Sequence, residues 1–173
     1  ALLREIFLVI FGSLLVAAFA QIRIPLPFTP VPITGQTLAV LLVGAVLGST
    51  RGLASMLLYL MLGLVGMPVF AGAESGLAYL SGATGGYLLG FVVAAYVVGR
   101  LAERGLERKF RTAILPFLIG QSIIYGLGVL WLAVYLGNLS NAMALGFYPF
   151  VIGDILKMGL AATLLPTAWK WVR

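Results

Sequence analysis

The chain contains no cysteine and no histidine, and only five acidic residues among its 173. Those absences remove disulfides, thiolate chemistry and the commonest metal ligands together. Five carboxylates, scattered along the sequence, are too few for a two-metal centre or a carboxylate-based intramembrane protease. Charge of either sign is scarce, at 9% of residues, while 62% are hydrophobic and the mean hydropathy is +1.12. A soluble domain carries roughly 25% charged residues, so this composition excludes that class. Several motifs are also missing: no G-x-x-x-x-G-K-[ST] for nucleotide phosphates, no H-E-x-x-H and no G-x-S-x-G. The chain is therefore expected to hydrolyse no ATP and to be no enzyme, with no cofactor and no metal. Neither a channel-type filter nor an inverted repeat is visible.

What is present is a series of long apolar runs, which suit helices crossing a hydrocarbon layer of roughly 30 Å better than the short alternating strands of a membrane barrel. The expected fold class is all-α, an integral membrane bundle of six transmembrane helices forming one domain over residues 1–173. The runs place these helices at about 6–22, 34–47, 53–65, 87–101, 114–136 and 148–171. The first run is long enough to span and is not followed by a cleavage signal, so it is expected to be a retained helix. Thr34 is a candidate N-cap for the second helix. Two connections stand out. "RIPLPFTPVPITG" (23–35) holds four prolines and cannot be helical, and "GMPVFAGAESGLAYLSGATGG" (66–86) is too rich in glycine and serine for a regular span. A short "GNLSN" turn breaks the chain between helices five and six.

Charge assigns the sides. With the N-terminus in the cytoplasm, the inner side holds Arg4, Arg51, Arg100, Arg104, Arg108, Lys109, Arg111, Lys170 and Arg173, whereas the outer side holds Arg23 alone among basic residues. The net charge of +6 is accordingly a topology signal in a lipid bilayer, not a sign of nucleic-acid binding. Both termini are expected inside a cytoplasmic membrane, with the proline-rich and glycine-rich loops outside.

Within "FYPFVIGDILKMGL" (147–160), Asp154 and Lys157 stand three residues apart and share one helical face. An ionised side chain at membrane depth costs at least ~2.5 kcal/mol, so the pair should face the bundle interior or a wet cavity. It is either a packing salt bridge or a ligand site in which the ammonium meets an anionic or carbonyl oxygen and the carboxylate accepts N–H groups. Phe28, Thr34 and Gln36 approach the same outer end, as pocket wall or as stiff connector. Thr84, Gly85, Gly86 and Tyr87 open the fourth helix, where glycines permit either close ligand approach or tight helix packing. In the first helix Ser13 and Ala17 form a small-xxx-small pair with Ala20 near the same face. Such a stripe packs on a helix of the same chain or on a second membrane subunit.

Four segments in order, "PFTPVPITGQTLAVLLVGAVLG" (27–48), "GMPVFAG" (66–72), "GATGGYLLGF" (82–91) and "IGDILKM" (152–158), together resemble the BioY family, the biotin-specific substrate-binding subunits of energy-coupling factor transporters. The resemblance implies a six-helix fold with an outward-facing biotin pocket. It also implies partnership with a membrane coupling subunit and two cytoplasmic ATPases, which would hydrolyse the ATP. It assigns Asp154 and Lys157 to the biotin site and Ser13 and Ala17 to the coupling interface. Biotin's carboxylate, ureido N–H donors and ureido carbonyl match a Lys/Asp pair, and its thiophane ring needs apolar walls, for which Phe28, Phe70, Tyr87 and Tyr125 are candidates. Two departures are visible: Ala83 stands where the family usually has proline, and "AGAES" lacks part of a glycine-rich run, leaving the roles of Glu74 and Ser75 open. The competing readings are a subunit for another small vitamin, a membrane enzyme using Asp154 as acid or base, and a structural protein with a buried salt bridge.

Overall fold

The computed structural model describes residues 1–106 and 109–172. Arg108 and Arg173, expected on the inner side, lie outside the described residues. Helix α1 (Leu2–Ala20) leads into a two-residue hairpin, β1 (Arg23–Ile24) and β2 (Ile33–Thr34), which pairs antiparallel with Arg23 opposite Thr34. Helices α2 (Gln36–Leu47) and α3 (Ser49–Leu64) follow, then the short α4 (Leu77–Leu80), α5 (Gly85–Glu103), α6 (Phe110–Leu136), α7 (Leu139–Gly146) and α8 (Val151–Val172).

Four stretches are long and apolar enough to cross a membrane: Leu2–Ala20, Gly85–Glu103, Arg111–Leu136 and Leu139–Leu165. Helices α2 and α3 are apolar but shorter, with 12 and 16 residues. At ~1.5 Å per residue they reach about 18 and 24 Å. They are joined without a loop through Gly48 at φ +87°, a left-handed turn open to glycine. Glu103 stabilises that turn by accepting from the Ser49 backbone N–H at 2.8 Å and the Ser49 hydroxyl at 2.7 Å, at the start of α3. A carboxylate there also meets the positive end of the helix dipole.

The outer surface is apolar, as lipid requires: Leu3, Phe7, Phe11 and Leu14 on α1, Leu130 and Val134 on α6, and Ile152 and Leu156 on α8 all point outward. Because lipid is as apolar as leucine, helix association rests on close packing of small residues. The α2–α5 crossing is one close case, since a Cβ at Gly44 would stand 2.6 Å from the Ala95 carbonyl oxygen. In the same way Gly12 admits Ser55, whose hydroxyl donates to the Val9 carbonyl at 3.1 Å and closes α1 on α3.

Several expectations need correcting. The proline-rich segment is non-helical as expected, and its two ends pair as the hairpin. Thr34 lies in β2 and Gly35 holds the cap position of α2, although the Thr34 hydroxyl still accepts weakly from the Gln36 N–H at 3.4 Å. Only Gly137 and Asn138 of "GNLSN" form the turn; Leu139 starts a helix of its own, α7, capped by the Asn138 side chain on the Asn141 N–H, and a 3-10 turn at Tyr148–Phe150 precedes α8. Ser13, Ala17 and Ala20 are buried within the chain itself, where α1 packs on α3 and α2. In this structure the stripe packs against helices of the same chain.

Candidate ligand-binding site

Each chain reversal returns a helix to the same end of the bundle, so the starts of α2, α5 and α8 meet there beside the middle of α6. They enclose a pocket with the hairpin and the 66–84 connection as its roof. Val31 and Pro32 from the hairpin, Ala71 and Tyr79 from the connection, Leu88 and Phe91 from α5, and Ile124 and Phe150 line it apolarly. Its polar lining comprises Thr34, Gln36, Thr37, Thr84, Tyr87, Gln121, Tyr125, Asp154 and Lys157. The free space is about 540 Å³ counting solvent at the mouth, of which about 60 Å³ can take the centre of a water molecule.

The roof is tied down by polar contacts that loops of this composition would otherwise lack. The Gln21 amide donates to the Phe70 carbonyl at 3.0 Å and accepts from the Ala73 N–H at 2.9 Å, pinning the connection to the end of α1. Thr29 donates to the Leu145 carbonyl at 2.7 Å, joining hairpin to α7, and the Trp131 indole N–H donates to the Gly82 carbonyl at 2.8 Å.

Asp154 and Lys157 form the ion pair their spacing suggests, with Nζ 3.2 Å from Oδ1. Asp154 is almost wholly buried and its second oxygen accepts from the Gln121 amide at 3.2 Å. The Lys157 ammonium also donates to the Thr34 carbonyl at 2.6 Å and the Thr37 hydroxyl at 3.1 Å. Its three N–H donors are thus all engaged, and the pair ties α8 both to α6 and to the start of α2. Gln36, buried beside it, donates to the Tyr59 hydroxyl at 2.6 Å and accepts from the Thr34 hydroxyl at 3.3 Å. Tyr87 donates to the Gly146 carbonyl at 2.7 Å, so its ring is held at the pocket wall by its own hydroxyl. Tyr125 stands edge-on to Phe147, with centroids 4.9 Å apart at 76°.

Of the residues singled out from sequence, Asp154, Lys157, Gln36, Thr34, Thr84, Tyr87 and Tyr125 come together at this pocket. Phe28 does not: it is 59% exposed at the outside of the hairpin. Phe70 is fully buried behind the wall, edge-on to Tyr59 and stacked on Tyr79, and supports the roof from beneath. Gly85 packs against Trp131 and the Leu80 carbonyl, so its missing side chain serves helix packing and not the ligand. Gln121 was missed, although a lone amide inside a long apolar helix is costly unless partnered, which was a usable signal. Thr37, Tyr79 and Phe150 carried no signal that distinguishes them from ordinary wall residues.

The chain matches the family model described as the BioY family over residues 1–173. It is 41% identical over 155 residues to the biotin transporter BioY of Thermotoga maritima, covering 90% of this chain and 89% of that one. It is 38% identical to the probable biotin transporter BioY of Pyrococcus horikoshii, covering 93% of each. Among solved structures it superposes on the S-component for biotin from an ECF-type ABC transporter with a TM-score of 0.83 and 24% identity, covering 97% of this chain and 92% of that one. A match along the entire length, joined to a fold shared with a transporter component, has one consequence: the chain belongs to the BioY family.

Proposed function

We propose that this chain binds biotin in the pocket between α2, α5, α6 and α8 and acts as the substrate-binding subunit of an energy-coupling factor transporter. The observation that carries the reading is the buried Asp154–Lys157 pair on the wall of a pocket with one apolar and one polar side, in a chain so similar to proteins named biotin transporters. The pocket offers what biotin requires: apolar walls at Phe91, Ile124 and Phe150 for fused rings, and a polar wall for the ureido group or the carboxylate.

The chain crosses the cytoplasmic membrane six times, through α1, α2, α3, α5, α6 and α8, as one domain. Both termini are cytoplasmic and the pocket opens outward. The charge distribution supports this orientation, because Arg4, Arg51, Arg100 and Lys109 all stand at the end of the bundle opposite the pocket. Energy comes from outside the chain: two ATPase subunits and a membrane coupling subunit drive uptake, and the chain itself uses no cofactor.

Retention of radiolabelled biotin by detergent-purified protein tests the ligand. Saturable, stoichiometric retention is expected in the native chain and its loss in Lys157→Ala; a folded native chain that retains none would sink the assignment. Reporter fusions at either terminus test the topology, with activity expected only from a reporter that works in the cytoplasm.

A further inference from the structure

The end of the bundle opposite the ligand pocket carries a second opening, between the start of α1, the α2–α3 junction and the end of α5. Four charged side chains line it: Arg4, Glu5, Arg51 and Glu103. Both carboxylates are answered within the protein. Glu5 accepts two hydrogen bonds from Arg51, and Glu103 accepts two from Ser49 and a longer one from Arg100. The donors are not used up in the same way. Arg4 and the Thr50 hydroxyl make no ion pair or hydrogen bond among the described residues, and Arg51 spends only Nε and Nη2 on Glu5. The cleft therefore turns unspent N–H and O–H groups and positive charge toward an anion, with about 440 Å³ of water-accessible space to receive it.

This cleft is continuous with the lipid-facing surface. Val46 and Leu47 border it and also border an apolar groove between α1, α2 and α8. Along α1 the two openings share one face, on which Arg4, Leu8, Phe11 and Leu15 follow one another at helical spacing. Leu42 and Leu164 form the facing walls, from α2 and α8. At ~1.5 Å per residue, Arg4 and Leu15 stand about 16 Å apart along the helix, which is the depth of one leaflet of a hydrocarbon core roughly 30 Å thick. A cationic cleft running into an apolar groove of that depth matches a phospholipid, with its phosphate at one end and an acyl chain beyond. A membrane-spanning helix of another subunit fits less well, because it would need an apolar surface of full bilayer depth and would leave Arg4 unanswered.

We infer that the cleft and groove bind one anionic phospholipid. The phosphodiester meets Arg4, Thr50 and the free edge of Arg51, and one acyl chain lies along Phe11, Leu15 and Leu164. Under the orientation proposed above this lipid belongs to the inner leaflet, where basic pockets between transmembrane helices recognise anionic headgroups.

Native mass spectrometry of the detergent-purified chain tests this, by titration with phosphatidylglycerol and with phosphatidylethanolamine of the same acyl composition. The native chain should hold one phosphatidylglycerol, and phosphatidylethanolamine more weakly. Arg4→Gln removes a cation that supports no contact within the protein. It should weaken phosphatidylglycerol about fivefold, the effect of one basic side chain near a membrane surface, and leave phosphatidylethanolamine unchanged. Leu164→Trp fills the groove from a side chain that is 45% exposed and should weaken both lipids. Biotin retention should match the native chain in both variants, since neither residue lines the ligand pocket. Equal binding of the two lipids by the native chain, or native affinity for phosphatidylglycerol in either variant, overturns the inference. Displacement of the lipid by excess inorganic phosphate overturns it too, because the cleft would then take a free anion without help from the groove. A native chain that holds no lipid likewise overturns it and leaves the groove to a protein partner.

Discussion

Lys157→Met should destabilise the protein more than Asp154→Asn, and removing both charges should recover part of the loss without restoring ligand binding. The asymmetry follows from the burial of the two partners. The Asp154 side chain is 7% exposed and that of Lys157 is 23% exposed. Taking away the ammonium leaves a buried carboxylate with only the Gln121 amide, and breaking a buried pair in this way costs about 3–5 kcal/mol, here toward the lower figure because Gln121 remains. Taking away the carboxylate leaves the ammonium with the Thr34 carbonyl and Thr37 hydroxyl, so Asp154→Asn should cost about 1–1.5 kcal/mol, the scale of one hydrogen bond. The double variant Asp154→Asn, Lys157→Met carries no orphan charge and should fall between the singles. Chemical unfolding in detergent, followed by far-UV circular dichroism, gives the ranking, and biotin retention is measured on the same samples. If Lys157→Met is as stable as Asp154→Asn, or the double variant is no better than Lys157→Met, then Asp154 is not the uncompensated charge and the reasoning fails. Stable variants that all keep biotin would instead remove the pair from the site.

Gly44→Ala should lower stability by about 1–3 kcal/mol, because the added methyl meets the Ala95 backbone and neither helix can yield locally; Gly159→Ala, where the space is open, should be neutral or slightly stabilising, and thermal stability of the two in one detergent checks the contrast. Glu103→Ala should cost about 1 kcal/mol by leaving the Ser49 N–H at the start of α3 without its acceptor, a loss that Glu103→Gln should partly rescue. The Glu5–Arg51 pair is bidentate, at 2.5 and 2.7 Å, yet more than a third of each side chain is exposed. Arg51→Gln should therefore cost little stability, and the difference should shrink as salt is raised; a large, salt-independent loss would count against a solvent-screened pair.

Much of the site was legible because membranes make polar residues conspicuous. Asp154 and Lys157 stand out against an apolar helix, Gln36 and Thr34 follow a run of prolines that cannot be helical, and the glycines before Tyr87 mark a helix start. Gln121 was equally conspicuous by the same physics. The errors share one cause: aromatic and small residues look alike whether they face a ligand, a neighbouring helix or lipid. Phe28 and Phe70 are both phenylalanines beside candidate pocket segments, yet one is exposed on the hairpin and the other lies behind Tyr79. Gly85 and the Ser13–Ala17 stripe each allow two uses, and in the structure Gly85 packs on Trp131 and the stripe lies where α1 meets α2 and α3.

The amino-acid sequence by itself determined that this chain is a helical membrane protein, roughly where its long helices run, and that the last helix carries a charge pair needing shelter. Those are local consequences of hydropathy, proline geometry and the cost of burying charge. Tertiary structure alone decided which donors the pair would meet. Thr34 and Thr37 lie 120 or more positions from Lys157, and Gln121 lies 33 from Asp154. Such partners are chosen by how the helices cross, and crossing is governed by the fit of residues from different helices, such as Gly44 against the Ala95 backbone, which no single segment encodes.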